Sequence, residues 1–238
     1  MIPVAILAGG LATRLRPLTE TIPKSLIEVA GEPFISHQLR LLRNKGVERV
    51  VLCIGYLGEM VEAVVGNGSA WGLEVTYSMD GEKLLGTGGA LKRALPKLGG
   101  RFFVLYGDSY LDDDFRAIEQ AYLASGKTGL MTVLHNRDQW DRSNVLYRNG
   151  RIEIYDKLRR TADMQHVDWG LGALDASVFS TYPDAEPFDL ASVYRDLLNV
   201  DQLAGYEVHR RFYEIGSADG IRDTEGYIRD ELRRTAPE

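Results

Sequence analysis

The 238-residue sequence predicts an α/β protein, a three-layer α/β/α sandwich about a mostly parallel sheet with a small β-hairpin elaboration in its second half. Three observations predict it. As far as about Leu134, short apolar runs alternate with helix-length stretches, the pattern of βαβ crossovers whose parallel strands are covered by helices on both faces. The first run, Pro3 to Leu7, is continuously apolar, as a strand buried on both faces must be. Beyond Leu134 the alternation gives way to two short strand-like runs around Asn149-Gly150, a strong hairpin signal because both residues tolerate positive φ.

The elements follow in order. Strand-like runs are Val4–Leu7, Val50–Ile54, Leu73–Tyr77, Phe102–Leu105 and Gly129–Leu134. Helical stretches between them are Pro33–Asn44, Leu57–Val65, Gly88–Leu95 and Asp114–Ala124. Pro33 near the start and Gly46 past the end frame the first of these, and Asp114 is an N-cap candidate before Phe115. The hairpin strands are Val145–Tyr147 and Ile152–Tyr155. Val167–Leu174 reads as a strand, Ala176–Thr181 and Leu190–Leu198 as helical, and Tyr206–Glu214 as a strand. Ala218–Arg234 reads as a charged amphipathic helix. No repeat, low-complexity segment or linker interrupts the chain, so one domain is expected over 1–238, its character changing after 134.

Composition excludes several classes. Lys and Arg number 28 against 34 Asp and Glu, a net charge of −6, and no basic block stands out. Non-specific nucleic-acid binding is disfavoured. The single cysteine, Cys53, lies in an apolar strand-like run and is expected to be an inert core thiol. No apolar run approaches the roughly 20 residues of a membrane span. The N-terminus runs straight into a strand, so no leader peptide and a cytoplasmic location are expected.

The stretch Leu7 to Lys24 reads L-A-G-G-L-A-T-R-L-R-P-L-T-E-T-I-P-K. After the first strand, Gly9 and Gly10 let the backbone turn and bring bare N–H groups close to a ligand. Thr13, Arg14 and Lys24 add a hydroxyl and two cations, a set that suits a triphosphate. The plainer alternative is an ordinary turn with surface cations. Two named motifs are absent. The dinucleotide fingerprint G-x-G-x-x-G is not there, and Gly126-Lys127-Thr128 lacks the earlier glycine of a Walker loop, with Ala121 in its place. Gly126 reads instead as the end of a helix.

In an open parallel sheet, ligands bind beyond the carboxyl ends of the strands. That rule gathers Gly9–Arg14, the segment after Tyr77, Gly107–Ser109 and Glu214 on one rim. After the third strand, Leu84–Leu91 carries L-L-G-T-G-G-A-L, whose glycines give backbone freedom, for an ordinary strand-to-helix turn or for a flat base to lie against the main chain. Asp80 and Glu82 precede it, and a carboxylate there can accept from guanine's N1–H and amino group, as carboxylates accept from cytosine's amino group. Gly107-Asp108 ends the fourth strand, where a carboxylate suits a hard cation. Asp112, Asp113 and Asp114 read as solvated loop and helix cap. His37, His135, His166 and His209 show no metal-ligand spacing and read as structural or surface residues.

Leu7 to Lys24 resembles the signature of the sugar-1-phosphate nucleotidylyltransferases, roughly L-A-G-G-x-G-T-R-L-x-P-L-T followed by P-K, with Ala12 where the family has its third glycine. The resemblance implies a Rossmann-like fold, with 1–134 as a nucleotide-binding half and 135–238 as a sugar-phosphate-binding half. It also implies transfer of a nucleoside monophosphate from a nucleoside triphosphate to a sugar 1-phosphate, releasing pyrophosphate. Leu7, Ala8, Gly9, Gly10, Thr13, Asp80, Gly86 and Thr87 would then hold the nucleotide, and Arg14, Lys24 and Asp108 would be catalytic. Mg2+ would sit on Asp108 and on Glu214, which stands where the family has an aspartate before a hydrophobic residue and glycine. Asn144, Asp156, Lys157, Asp168, Trp169 and Gly170 would hold the sugar phosphate. For Trp169, sugar stacking and core packing both stay open. The L-G-T-G-G turn and the length look most like the heptose 1-phosphate guanylyltransferase branch, with GTP and a heptose or hexose 1-phosphate as substrates. A uridylyltransferase acting on amino sugars is the alternative. The rival of another class is a non-catalytic sugar-nucleotide sensor, for which Ala12 and Glu214 would be eroded positions. No nucleic-acid or membrane partner is expected, and a homodimer is left open.

Overall fold

The computed structural model describes residues 1–81 and 83–235. Among the described residues nine strands form the central sheet: β1 (Val4–Leu7), β2 (Arg49–Ile54), β3 (Glu74–Met79), β4 (Arg101–Tyr106), β5 (Gly129–His135), β6 (Val145–Arg148), β7 (Arg151–Tyr155), β8 (His166–Asp175) and β9 (Leu203–Val208). The helices are α1 (Phe34–Asn44), α2 (Gly58–Val65), α3 (Gly86–Leu98), α4 (Phe115–Ser125), α5 (Leu190–Asn199) and α6 (Ala218–Thr235). The sheet runs β3-β2-β1-β4-β8-β5-β9, and the β6–β7 hairpin joins β8 where His166 meets Val145. Strands β1 to β4 are parallel, β8 runs against β4 and β5, and β9 is parallel to β5. The mostly parallel α/β sheet with a hairpin addition is therefore the observed fold.

Alternation along the strands builds the two outer layers, because successive side chains face opposite sides of a sheet. Val4 and Ile6 of β1 meet Ile35, Leu39 and Leu42 of α1 and Phe115 and Ile118 of α4 in one core. Ala5 meets Ala90, Leu91 and Ala94 of α3 and Leu190, Val193 and Leu197 of α5 in the other. β4 divides the same way, Phe103 and Leu105 to the first core and Phe102 and Val104 to the second. Each fully buried Leu, Ile or Phe contributes roughly 1.5–3 kcal/mol of transfer free energy. A smaller cluster of Ile27, Val29, Phe34, Ile215 and Ile228 ties α6 to the start of α1.

Local signals behave as their chemistry requires. The Asp114 carboxylate accepts from the N–H groups of Arg116 and Ala117 at 3.0 and 3.1 Å and caps α4, and Gly126 closes that helix in the left-handed region. Asn149 and Gly150 take φ of +50° and +76° in the hairpin turn. Two expectations change. Ala176–Phe179 is a single 3-10 turn, and the strand expected over Tyr206–Glu214 is two strands, β9 and a separate Tyr213–Glu214 pair that meets Ser109–Tyr110 antiparallel. The break has a geometric cause. Going from β9 to the end of β4 crosses three strand spacings, about 14 Å, and the five steps from Val208 to Tyr213 reach about 17 Å when extended. The chain must leave the sheet to make that crossing. No described helix is long and apolar enough to cross a membrane.

Candidate active site

β1 has β2 on one side and β4 on the other, so successive connections leave it in opposite directions. At such a switch point the carboxyl ends of the strands open a crevice. Here they open a cavity of about 240 Å³ lined by Leu7, Ala8, Gly9, Gly10, Lys24, Asp80, Gly86, Thr87 and Asp108 of the expected residues. Thr13 and Arg14 do not line it. Ala12, Ser25, Cys53, Leu84 and Tyr106 do, and sequence reasoning had not assigned them there. The Cys53 thiol is buried, and burial, with the Asp80 charge adding to it, pushes its pKa up to about 12.

Ala12 answers the question its sequence position raised. Its φ and ψ are +46° and 44°, the left-handed conformation that glycine adopts freely and alanine at roughly 1–2 kcal/mol. Its carbonyl accepts from the Leu15 N–H at 3.0 Å and the Thr19 hydroxyl at 2.9 Å, which hold that conformation in place. The loop is thus fixed in a backbone conformation that glycine also adopts.

The L-G-T-G-G turn packs closely against the segment around Phe188. A Cβ on Gly86 would lie 2.7 Å from the Phe188 carbonyl oxygen, and one on Gly88 2.3 Å from the Phe188 ring. The Gly88 N–H donates to the Phe188 carbonyl at 2.9 Å, and the Thr87 hydroxyl oxygen accepts from the Leu190 N–H at 2.8 Å. Asp80 is buried and accepts from the Leu85 N–H at 3.2 Å, and burial holds its carboxyl above the ordinary range. Glu82 lies outside the described residues.

A second cavity, about 420 Å³, adjoins the first, and Tyr106 and Asp108 line both. Lys24 Nζ stands 2.5 Å from Asp108 Oδ2. The Asp108 carbonyl accepts from the Ile215 N–H at 2.9 Å, and Ser109 pairs with Glu214, so the two acids expected to share a metal occupy one wall. The Glu214 carboxyl is held above its ordinary range, first by burial and then by the Asp108 and Asp141 charges, while Lys24 and Arg14 act the other way. Arg14 therefore stands near this wall, although exposed. Half-buried carboxylates that repel one another beside an open space fit a small hard dication that keeps waters and takes ligand oxygens. Among the described residues no group of three or more His, Cys, Asp or Glu could hold a metal by itself, so substrate oxygens would have to complete the sphere.

The second cavity is also lined by Asn144, Lys157, Asp168, Trp169 and Gly170, as expected, and by Asp141, Arg142 and Arg160, which were not. Asp156 is not part of the lining. Its Oδ1 accepts from the Leu158 and Arg159 N–H groups at 2.8 and 2.9 Å, an Asx turn that shapes the loop carrying Lys157. Lys157 Nζ lies over the rings of Tyr106 and Tyr155, 5.7 and 5.9 Å from their centroids. Asp168 accepts from the Gly170 N–H at 3.1 Å and the Tyr155 hydroxyl at 3.3 Å. Burial raises the Asp168 pKa, and the Lys157 charge partly opposes the rise. The Asn144 side-chain oxygen accepts from the Asp168 N–H at 3.0 Å. Trp169 resolves its alternative: the indole is 1 % exposed in the core, its Nε1 donates to the Arg210 carbonyl at 2.8 Å, and no ring face is left for stacking. No spacing rule could have found Asp141 or Arg142, because the loop that carries them has no periodicity and reaches the cavity only through tertiary packing.

Comparison with known proteins adds the following. A family model described as nucleotidyl transferase matches residues 4–144. The chain is 43 % identical over 116 residues to N-acetylmuramate alpha-1-phosphate uridylyltransferase of Neisseria meningitidis, covering 48 % of this chain and 50 % of that protein. It is 41 % identical over 132 residues to mannose-1-phosphate guanyltransferase of Saccharomyces cerevisiae, covering 54 % of this chain and 36 % of that one. Against the Schizosaccharomyces pombe mannose-1-phosphate guanyltransferase it is 30 % identical over 241 residues, covering 98 % and 66 %. The chain thus spans between 36 % and 66 % of the length of these curated relatives. HddC from Yersinia pseudotuberculosis, solved complexed with GMP-PN, superposes with a TM-score of 0.79 at 23 % identity, covering 96 % of this chain and all of that one. A Bacillus anthracis crystal structure in complex with a sucrose gives 0.85 at 22 %, covering 97 % and 96 %. These two likenesses bear on the fold alone.

Proposed function

The chain belongs to the nucleotidyl transferase family, and from that premise we propose that it transfers a nucleoside monophosphate from a nucleoside triphosphate to a sugar 1-phosphate, releasing pyrophosphate. GTP with a heptose or hexose 1-phosphate is the substrate pair put first. One observation carries the reading: two cavities meet at a shared wall of Tyr106 and Asp108, with Lys24 on that aspartate. A two-substrate transfer needs such a junction, because its reacting atoms must come from different sites to one point.

An oxygen of the sugar 1-phosphate attacks the α-phosphorus, and the bond from that phosphorus to the bridging oxygen of the β-phosphate breaks. The nucleophile is already an anion, so no side chain has to act as a strong base. The work left to the chain is positioning and charge neutralisation. Gly9 and Gly10 offer backbone N–H groups to the phosphates, Lys24 neutralises the α-phosphate, Arg14 the departing pyrophosphate and Lys157 the sugar phosphate. Asn144, Asp168 and Gly170 form the sugar's polar wall, and Asp80, Gly86 and Thr87 the wall beside the base. Asp108 and Glu214 would hold Mg2+, which when bound supplies charge stabilisation to the phosphoryl oxygens. The nucleotide side is drawn from residues before 134 and the sugar side mainly from those after it.

UTP is the second reading, favoured by the 43 % identity to a uridylyltransferase over 116 residues. Pyrophosphate release from a matrix of nucleoside triphosphates against hexose, heptose and aminohexose 1-phosphates separates the two. GTP turning over fastest supports the first reading and UTP fastest the second. Nucleotide binding with no turnover across the matrix would replace both with the sensor.

A further inference from the structure

We propose that Gln38 is the positioning residue for Asp108, its buried amide gripping the main chain on both sides of that aspartate. Gln38 lies on the buried face of α1 and is 1 % exposed. Its Nε2 donates to the Tyr106 carbonyl at 3.1 Å and to the Ser109 carbonyl at 2.7 Å. These two carbonyls bracket Gly107-Asp108, so both protons of one amide group hold the ends of a two-residue bend. The orientation is fixed by chemistry, since turning the amide over would set its oxygen against two carbonyl oxygens. Among the described residues the remaining atom, Oε1, is buried without a hydrogen-bond partner. A buried polar atom left unsatisfied is a cost to the fold, and the neighbours of Gln38 on α1 include Ile35, Leu39, Leu41 and Leu42. An apolar side chain would suit that helix face better. What the glutamine adds is the grip on the bend.

The bend has no slack on its other side. A Cβ on Gly107 would lie 2.7 Å from the Leu7 carbonyl oxygen and 3.0 Å from Ala8, so the chain is pressed onto the end of β1. Asp108 is thus held between β1 and α1, and its own carbonyl is tied to the Ile215 N–H beside Glu214. Groups that orient a metal ligand are worth about 10–100-fold in metal affinity or activity. The inference rests on the proposed role of Asp108 toward a divalent ion.

The test uses the full chain with Gln38→Met, which keeps length and loses both donors, and the nearly isosteric Gln38→Glu. Folding is checked by circular dichroism and the thermal midpoint. Mn2+ binding is read from the electron paramagnetic resonance of free Mn2+ with an α,β-methylene GTP analogue present, each titration taken against a protein-free control because the analogue itself chelates Mn2+, beside kcat and the KM for the nucleotide. The expected result is Mn2+ affinity weakened about tenfold and kcat lowered by about 10–100-fold, with the nucleotide KM within about twofold. Folded variants that match the wild type in Mn2+ affinity and kcat overturn the proposal even if their midpoints fall, since that outcome is a packing role. Failure of both variants to fold does the same. Wild-type protein that binds no Mn2+ overturns the metal reading of Asp108 itself, a failure distinct from unchanged variants beside a wild type that binds.

Discussion

The two cavities that meet at Asp108 are made of different material. The cavity proposed for the nucleotide is mostly main chain and small or apolar side chains: Leu7, Ala8, Gly9, Gly10, Cys53, Leu84 and Ala90. The cavity proposed for the sugar phosphate is rich in charge: Asp141, Arg142, Lys157, Arg160, Asp168 and Glu214. Backbone N–H groups and flat apolar walls recognise what all nucleotides share, phosphates and a planar base. Charged side chains from separate loops can be exchanged one at a time, so the sugar side is where substrate choice can vary without disturbing the phosphate loop. The first wall contains one nearly continuous piece, Leu7–Gly10 with Ala12, beside residues near 24, 53, 80–90 and 106–108, whereas the second is collected from segments near 108, 141, 157, 168 and 214.

If this division is right, the largest effect belongs to the shared wall. Asp108→Asn removes a charge that faces both cavities while keeping the side chain's shape. Metal-borne charge stabilisation is worth several kcal/mol, so pyrophosphate release should fall by about a thousandfold or more. The aspartate is partly exposed, so the fold should persist. Turnover within about tenfold of wild type would break the comparison at its centre.

The next effects should fall on one side only. Lys157→Met should raise the KM for the sugar 1-phosphate by about 10–100-fold, the worth of a hydrogen bond to a charged group, and leave the nucleotide KM alone. Asp168 sharpens the point through pH. Burial holds its carboxyl above the ordinary aspartate range, so it takes up a proton where an exposed aspartate stays ionised. The protonated form is a poorer acceptor for a sugar hydroxyl. As pH falls into that raised range the sugar KM should climb, and in Asp168→Asn, which has no such titration, the climb should vanish. An identical pH profile in the variant would remove Asp168 from sugar recognition.

This asymmetry decided what the sequence made legible. The parallel sheet was readable because β1, β2 and β4 are continuous apolar runs, and the cap at Asp114 and the turn at Asn149-Gly150 each rest on one local conformation. The loop after β1 that lines the first cavity was readable for the same reason, its residues being neighbours in the chain. Tyr206–Glu214 misled because its apolar alternation does not register that the chain must leave one sheet edge and arrive at the other end of the site. At Asp156 and Trp169 the sequence leaves structural and ligand-binding roles indistinguishable. A carboxylate in an Asx turn and a tryptophan with its N–H on a carbonyl look, in sequence, the same as ligand-binding residues. Gln38, Asp141 and Arg142 carried no local signal at all, since their placement depends on which helix and loop pack beside β4.

Glycines offer a finer test. Gly88 and Gly10 read alike in sequence, each within a glycine-rich turn after a strand. A Cβ on Gly88 would strike the Phe188 ring, whereas one on Gly10 meets nothing within 4 Å. Gly88→Ala should therefore cost about 1–3 kcal/mol in overpacking, read as a lowered thermal midpoint. Gly10→Ala should leave the midpoint unchanged and raise the nucleotide KM by crowding the phosphates. Equal midpoints for the two variants would mean that the Phe188 segment yields.

The smallest effect concerns Cys53, which lines the nucleotide cavity and is also buried in the core beneath it. Its thiol is pushed from 9.0 up to about 12, mainly by burial. The thiolate is the reactive form, and its population falls in proportion as the thiol becomes a weaker acid. Native protein at pH 8 should therefore react with a disulfide reagent at least about tenfold more slowly than unfolded protein, the greater nucleophilicity of a higher-pKa thiolate offsetting part of its lower population. Saturating nucleotide should slow the reaction little further, because the low thiolate fraction, rather than an open path from the cavity, limits it. If nucleotide instead protects strongly, the thiol is reached through the cavity, and the apolar wall of the nucleotide side is more open than the fold implies.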